Sequence, residues 1–253
     1  MDSDYFEKRM RELEYFHSLR CLPGTWIVLR LDGRGFTKFT ARAKFERPFD
    51  GRFQEYMRTA AQSLLEELQG LYVFTESDEI SIVFPPQWDL FDREVEKLIS
   101  ISASIASVAF ALASQLAVQF DSRIWLSASQ EQVIDYFRWR QTDTTRCALN
   151  GWCHWTLLKE GLQPNQATAQ LTGKTLTYKQ ALLQERGIEF DTLPYWQRYG
   201  TGFYWETYEK TGYNPHLQRH ETTQRRRMRM QDELPIGEAY GEFIAALLAK
   251  SLV

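Results

Sequence analysis

Cysteine and histidine are scarce here, with three Cys and four His in 253 residues. Cys21, Cys147 and Cys153 are odd in number and form no Cys-x-x-Cys pair, which speaks against a disulfide framework or a zinc site and for a reducing cytoplasm. They read as free structural thiols. No internal repeat or low-complexity tract is present, and the start, Met1-Asp2-Ser3-Asp4, lacks the apolar core of a secretion signal, so export is not expected. Basic charge is also short: 30 Lys and Arg stand against 33 Asp and Glu, a net −3, so any footprint for nucleic acid has to be local. Long hydrophobic runs are almost missing. One stretch, from Leu98 to Phe120, carries no charge, but Ser100, Ser102, Ser104, Ser107, Ser114, Gln115 and Gln119 interrupt it. That composition predicts a buried helix of a soluble core, with a contact between subunits as a second use, and no membrane partner.

What is present is a full complement of apolar residues, 43% of the chain, enough for one large domain or a core with an appendage. Two acidic segments end apolar runs. The first run, Trp26-Ile27-Val28-Leu29-Arg30-Leu31, reads as a buried strand that delivers Asp32 to its C-terminal end, where Gly33 and Gly35 permit a sharp turn. The second acidic segment, Ser77-Asp78-Glu79, lies between Leu71-Tyr72-Val73-Phe74 and Ile80-Ser81-Ile82-Val83-Phe84, a hairpin pattern. If these strands are neighbours, Asp32, Asp78 and Glu79 converge. Converging carboxylates beside glycine-freed backbone suit Mg²⁺, and two such ions can serve nucleotidyl or phosphoryl transfer. Read singly, Asp-Gly is a common turn pair and Ser-Asp-Glu a polar hairpin tip; it is the pairing after two strands that favours a site.

Between Gly51 and Gly70, Phe53, Met57, Ala60, Leu64 and Leu68 recur at helical spacing, and Gly70 is placed to end that helix. Arg123-Ile124-Trp125-Leu126 reads as a fourth strand, and Glu131 to Glu160 as helix interrupted around Thr142 to Arg146, where β-branched residues cluster. Ile27 to Leu126 therefore fits βαββαβ, a split arrangement that sets Asp32 and Asp78 side by side.

With LDGRGFTKF followed after a helix by SDEISIVF, and with FERPFDGR at Phe45 to Arg52, DYFRWRQTD at Asp135 to Asp143, Trp155 in CHWTLL and the step Leu171-Thr172-Gly173 in the same order, the chain resembles the tRNA(His) guanylyltransferase-like family of 3′-to-5′ RNA polymerases. The resemblance reaches to about Gly200. It implies an α+β fold with a polymerase-palm-like, ferredoxin-type βαββαβ core over residues 1–145. A mixed helical and β extension over 146–253 is expected to pack on that core as one unit. It implies Asp32, Asp78 and Glu79 as catalytic residues, with two Mg²⁺ ions held by Asp32, the Gly33 carbonyl and Asp78. Around the triphosphate of ATP, GTP or another NTP it implies the backbone amides of Arg34, Gly35, Phe36 and Thr37, a geometry in which exposed N–H groups form an anion nest. Arg47, where some members have lysine, and Lys97 are the implied phosphate cations, although either alone reads as a surface charge. Ser77 is a further phosphate donor unless it only satisfies its own turn. The implied assembly is a homo-tetramer in the cytoplasm.

Tyr195 to Met230 carries seven basic against three acidic residues, +4 within a chain of −3, interleaved with eight aromatics from Tyr195 to Tyr213. Core packing is the expected role for most of these rings, with base stacking the alternative. Arg198, Arg225, Arg226 and Arg227 are the candidates for the tRNA backbone. Eukaryotic members that add one G to tRNA(His) carry His-Ile-Asn-Asn after Trp-Arg-Gln; here the stretch is Thr145-Arg146-Cys147-Ala148, with Asn150 the nearest amide. The chain thus looks closer to the bacterial and archaeal like-proteins, which repair 5′-truncated tRNA by templated addition after an NTP activates the 5′ phosphate. Single-G addition to tRNA(His) is the alternative within the family. From other classes, a diguanylate-cyclase-like palm finds no use for the C-terminal half, and an inactive RNA-binding module should not have kept the three carboxylates.

Overall fold

The computed structural model describes residues 3–214 and 218–250. In chain order the elements are α1 (Ser3–Arg11), β1 (Trp26–Gly33), α2 (Phe36–Arg42), α3 (Gly51–Leu68), β2 (Tyr72–Glu76), β3 (Glu79–Phe84), α4 (Val95–Ser114), β4 (Phe120–Ser127), α5 (Gln130–Lys159), α6 (Pro164–Leu171), α7 (Leu176–Gln184), α8 (Tyr195–Tyr199), β5 (Thr201–Asn214), β6 (Arg219–Gln231) and α9 (Glu238–Ala249). The strands make one sheet in the order β4-β1-β3-β2-β5-β6, with every pair antiparallel. Its first four strands have the ferredoxin-type order, and β5 and β6 extend the same sheet.

Alternation along the strands divides the core. Ile27, Leu29, Leu31, Ile80 and Ile82 pack under α3 and α4 with Met57, Leu64 and Phe110. Trp26, Val28, Tyr72, Phe74 and Val83 face α5 and α9, meeting Phe137, Tyr240 and Ile244. Helix α3 starts at Asp50, whose carboxylate accepts from the Arg52 amide, and it ends at Gln69 in the left-handed region. Gly70 does a different job from the terminator expected of it. A Cβ there would sit 2.7 Å from the Ile82 side chain, so glycine lets the chain close onto β3.

Helix α4 is long and apolar enough to cross a membrane by length and composition alone. Its stripe Leu98, Ser102, Ala106 and Phe110 is buried, and Ser102 donates to Ser122 of β4 at 2.9 Å. The buried helix expected from composition is buried on this side only, since Val108 and Leu112 on the other side are 55% and 69% exposed. Helix α5 also differs from expectation: it runs unbroken through Thr142 to Arg146. Thr144 and Thr145 donate to the carbonyls of Arg140 and Gln141 one turn back, so their hydroxyls are satisfied within the helix and packing overrides weak propensity. Residue 145 thus falls inside α5, whose second half carries α6 and α7 on a separate small core that includes Cys153, Leu157, Leu171 and Leu183.

Candidate active site

Strand pairing brings the acidic segments together. Asp32 lies opposite Glu79 of β3 on one side and opposite Asp121 of β4 on the other. The Gly33 amide donates to the Asp78 carbonyl at 3.0 Å, which ties the end of β1 to the turn between β2 and β3. That turn has only two residues, with Ser77 at φ 47°. Its hydroxyl donates to Asp78 Oδ1 at 3.1 Å, so Ser77 orients the carboxylate beside it. By strand alternation Asp32, Glu76 and Glu79 share the sheet face covered by α5.

From α5, Arg140 reaches Glu79 at 2.6 Å and Glu76 at 3.3 Å, while Arg30 lies 3.8 Å from Glu79. The carboxyls are nevertheless held above the usual carboxylate range. Burial raises Asp32, with Asp121 adding to it; burial raises Asp78, with Asp32 adding to it. For Glu79 burial outweighs Arg140 and Arg30, and Glu76, buried and facing Glu79, is pushed up to about 8. Such a crowded acidic shelf favours a proton or a cation. Among the described residues no group of three or more His, Cys, Asp or Glu side chains is arranged to hold a metal. Asp32 and Asp78 with the Gly33 carbonyl fit Mg²⁺ in its common form, in which one or two carboxylates leave the remaining positions to water and substrate phosphates.

The loop after β1 is fastened to the core. A Cβ on Gly33 would meet the Phe36 ring at 2.5 Å, and Gly35 at φ 69° caps α2. Phe36 packs among Phe39, Phe53, Phe110 and Phe120, with ring centres 5.1 to 5.8 Å away. The Arg34 amide is committed to the Gln119 carbonyl at 2.9 Å, which removes it from the expected phosphate nest; Gly35, Phe36 and Thr37 keep theirs at the start of α2. Arg47 donates to Thr40 and lies over Trp155 at 5.1 Å. Thr37, Arg47, Ser77, Asp78 and Trp196 line one cavity of about 830 Å³, counted with its open mouth.

Two expected cations lie elsewhere. Lys97 is in the first turn of α4 and pairs with Glu94 at 2.8 Å. That turn is anchored to the segment before β1, through Val95 to Leu19 and through Arg93 to Leu22 and Thr25, whereas Asp32 is at the other end of β1. Arg198 is 7% exposed, its guanidinium turned inward onto the Leu193 carbonyl and Tyr199. The Arg225–Arg227 run lies on β6, where Arg225 pairs with Tyr208 and Arg227 with Glu206, while Arg226 points to the opposite face, over Trp205 and onto Gln69. Arg30, Glu76, Asp121, Arg123 and Arg140 join the site unannounced. Arg30 was legible as the same-face neighbour of Asp32 two positions away, and Glu76 as the residue that a two-residue bend sets opposite Glu79; Arg140 stands in the quoted WRQ step.

A family model described as tRNAHis guanylyltransferase matches residues 7–137, and one described as Thg1 C terminal domain matches 131–240. The chain belongs to the tRNA(His) guanylyltransferase family. It is 33% identical over 202 residues to the probable tRNA(His) guanylyltransferase of Mus musculus, covering 75% of this chain and 68% of that one. To the probable enzyme of Drosophila melanogaster it is 35% identical over 191 residues, covering 71% and 67%. The crystal structure of the Saccharomyces cerevisiae tRNA(His) guanylyltransferase superposes with TM-score 0.70 and 27% identity over 76% of this chain and 90% of that one. A bacterial tRNA(His) guanylyltransferase-like protein in complex with ATP shares the fold at TM-score 0.77 and 23% identity, over 96% and 99%. The family resemblance and the α+β architecture read from the sequence therefore hold, and with them a nucleotidyltransferase lineage.

Proposed function

We propose that this chain is a 3′-to-5′ nucleotidyltransferase that restores the 5′ end of truncated tRNA by templated addition, after ATP or GTP activates the 5′ phosphate. The observation that carries this reading is the joining of the end of β1, which carries Asp32, to the β2–β3 turn, which carries Asp78, through the 3.0 Å bond from the Gly33 amide to the Asp78 carbonyl. Asp32, the Gly33 carbonyl and Asp78 would hold Mg²⁺, two ions in all with the substrate phosphates. When bound, these ions supply a lowered pKa for the attacking 3′ hydroxyl and charge stabilisation for departing pyrophosphate. The protein's own part is orientation. Ser77 fixes the Asp78 carboxylate, the amides of Gly35 to Thr37 offer donors to phosphate oxygens, and Arg47, braced by Thr40 and Trp155, offers a planar fork to the triphosphate. Solved bacterial relatives of the same fold, described as complexes with ATP and with GTP, support triphosphate use.

For tRNA we propose the face of the β5–β6 hairpin that carries Arg225, Arg227 and Arg229 with Tyr204 and Tyr208. We further read the enzyme as cytoplasmic and tetrameric, with the uncovered side of α4 available for subunit contact. Templated repair is favoured over single-G addition by the four residues in place of His-Ile-Asn-Asn. Thr145 donates to the Arg198 carbonyl at 2.9 Å, Arg146 is paired with Asp143 and Ala148 is buried, so three of the four turn their side chains to partners within the protein. The second reading, single-G addition, is favoured by the names of the curated relatives. The test is a tRNA lacking its first nucleotide, supplied with ATP, NTPs and Mg²⁺, with the opposing base varied. Incorporation that follows that base supports repair; addition of G whatever the base, and only to tRNA(His), replaces it. Cyclic nucleotide products, or no product, would favour the cyclase or the inactive binder.

A further inference from the structure

Five carboxyl groups crowd the end of this sheet, and only Asp32 and Asp78 are proposed to hold metal. Asp121, opposite Asp32, is paired with Arg123 at 3.1 Å. The remaining two, Glu76 and Glu79, stand directly opposite each other across the hairpin, a placement in which two charged carboxylates repel. Between them and α5 sits Arg140, its side chain 5% exposed. Its Nε is 2.6 Å from Glu79 Oε1, and its Nη2 is 3.3 Å from both Glu76 Oε1 and Asp143 Oδ2. The flat guanidinium lies over Trp139 at 4.6 Å, which fixes its plane. Glu79 Oε1 is buried without a hydrogen bond, because the short contact to Arg140 is an ion pair out of line for one. Its other oxygen has Arg30 at 3.8 Å. Glu79 is therefore drawn toward two guanidinium groups, on the same sheet face as Asp32, which is opposite it in register.

We propose that Arg140 is a positioning residue that holds Glu79 and Glu76 away from the incoming cation, so that Asp32 and Asp78 alone present carboxylates to the metal. The proposal rests on the metal assignment made under the proposed function. It carries a consequence of unusual sign. Arg140 is near enough to Asp32 for its charge to be felt there, so it also opposes a divalent cation directly. Removing it takes away a positive charge and releases Glu79 to ligate. The site should then bind metal more tightly and work worse, because the extra carboxylate occupies a position meant for water or phosphate. A residue needed only for folding would weaken both.

The experiment measures Mn²⁺ binding to the nucleotide-free protein from the free-ion electron paramagnetic resonance signal, for wild type, Arg140→Gln, Arg140→Lys, Glu79→Gln and the double variant Glu79→Gln/Arg140→Gln. Urea melts in EDTA and single-turnover 5′ addition accompany it. Arg140→Gln should bind Mn²⁺ tighter by about tenfold or more, because an opposing charge is lost and a carboxylate is freed to ligate. Its kcat should fall at least tenfold while the nucleotide KM stays within twofold, and Arg140→Lys should recover most of both changes. The double variant should return most of the way to wild-type Mn²⁺ affinity, since the released ligand is gone. Glu79→Gln keeps Arg140 paired with Glu76 and Asp143 and removes a charge but no ligand, so it should weaken Mn²⁺ binding by clearly less than about tenfold. A tenfold loss in that variant would make Glu79 a ligand in its own right and overturn the proposal, even if Arg140→Gln failed to fold. Folded Arg140→Gln with unchanged or weaker Mn²⁺ binding would overturn it as well. Wild-type protein that bound no Mn²⁺ would sink the metal assignment itself, a result distinct from either.

Discussion

Asp78→Asn should abolish nucleotide addition and make the metal-free protein more stable. The Asp78 carboxyl is raised first by burial and then by Asp32, so the native state resists its ionisation more than the unfolded chain does. The sign follows from proton linkage. Where the native pKa is the higher, the native state holds the extra proton, stability falls as pH rises through the interval between the unfolded and native values, and the whole penalty stands above it. Neutral to mildly alkaline buffer is therefore where an uncharged isostere gains most. Two carboxylates about 6 Å apart repel by about 3 kcal/mol at an effective dielectric of about 20. Asp78 is partly open to solvent, and an asparagine amide is a poorer acceptor than a carboxylate for the Ser77 hydroxyl, so a net gain of about 1 kcal/mol is the reasonable expectation. For a chain of this length that is a rise of about 2 to 4 °C in melting temperature. Melts in EDTA and in excess Mg²⁺ read both halves of the argument: wild type should be stabilised by the ion through mass action, and the variant should not. A variant less stable than wild type in EDTA would refute the account of repulsion. One with near wild-type turnover at saturating Mg²⁺ would refute Asp78 as a ligand.

The acidic strand ends were legible because two local signals agreed with the global arrangement. Apolar runs that stop at Asp32, and a hairpin whose bend holds Asp78, leave only one economical pairing, and that pairing is antiparallel and adjacent. Glycine gave a second signal, since Gly33 is required by the Phe36 ring and Gly35 by its positive φ. What the sequence concealed depends on direction and burial. Lys97 follows the hairpin closely in sequence, but α4 begins beside the segment that precedes β1, so the lysine stands near the wrong end of that strand. Arg198 looks like one more cation of a basic segment, and only tertiary packing shows its guanidinium turned onto a carbonyl. The three consecutive arginines form a cluster only if the backbone is ignored; on a strand they alternate, and Arg226 goes to the face opposite Arg225 and Arg227. The threonines of α5 suggested a break, yet a carbonyl four residues back was there to receive each hydroxyl.

Arg47→Ala should raise the nucleotide KM about tenfold or more, the value of one charge-assisted hydrogen bond, whereas Lys97→Ala should leave it within twofold; steady-state kinetics with a fixed tRNA separate them, and equal effects would mean that Lys97 reaches the nucleotide after all. Neutralising Arg225, Arg227 and Arg229 together should weaken tRNA binding and flatten its dependence on salt by about 0.7 to 0.9 units of slope per lost phosphate contact, while Arg226→Gln alone should leave the slope unchanged. A salt titration with the same slope for both proteins would remove this hairpin face from the footprint. The last prediction concerns Glu76, which is pushed up to about 8 by burial and by Glu79. Between the ordinary carboxylate range and about pH 8 the native protein keeps a proton there that the unfolded chain has lost, so native stability should decline across that interval and level off above it. Glu76→Gln removes the titrating group but keeps its size and a carbonyl acceptor for Arg140. Its melting temperature in EDTA should therefore fall less steeply than that of wild type from about pH 5 to about pH 9, with the largest advantage at the alkaline end. Parallel profiles for the two proteins would mean that Arg140 keeps Glu76 ionised at 3.3 Å in spite of its burial, and the assignment of the proton to this carboxyl would be wrong.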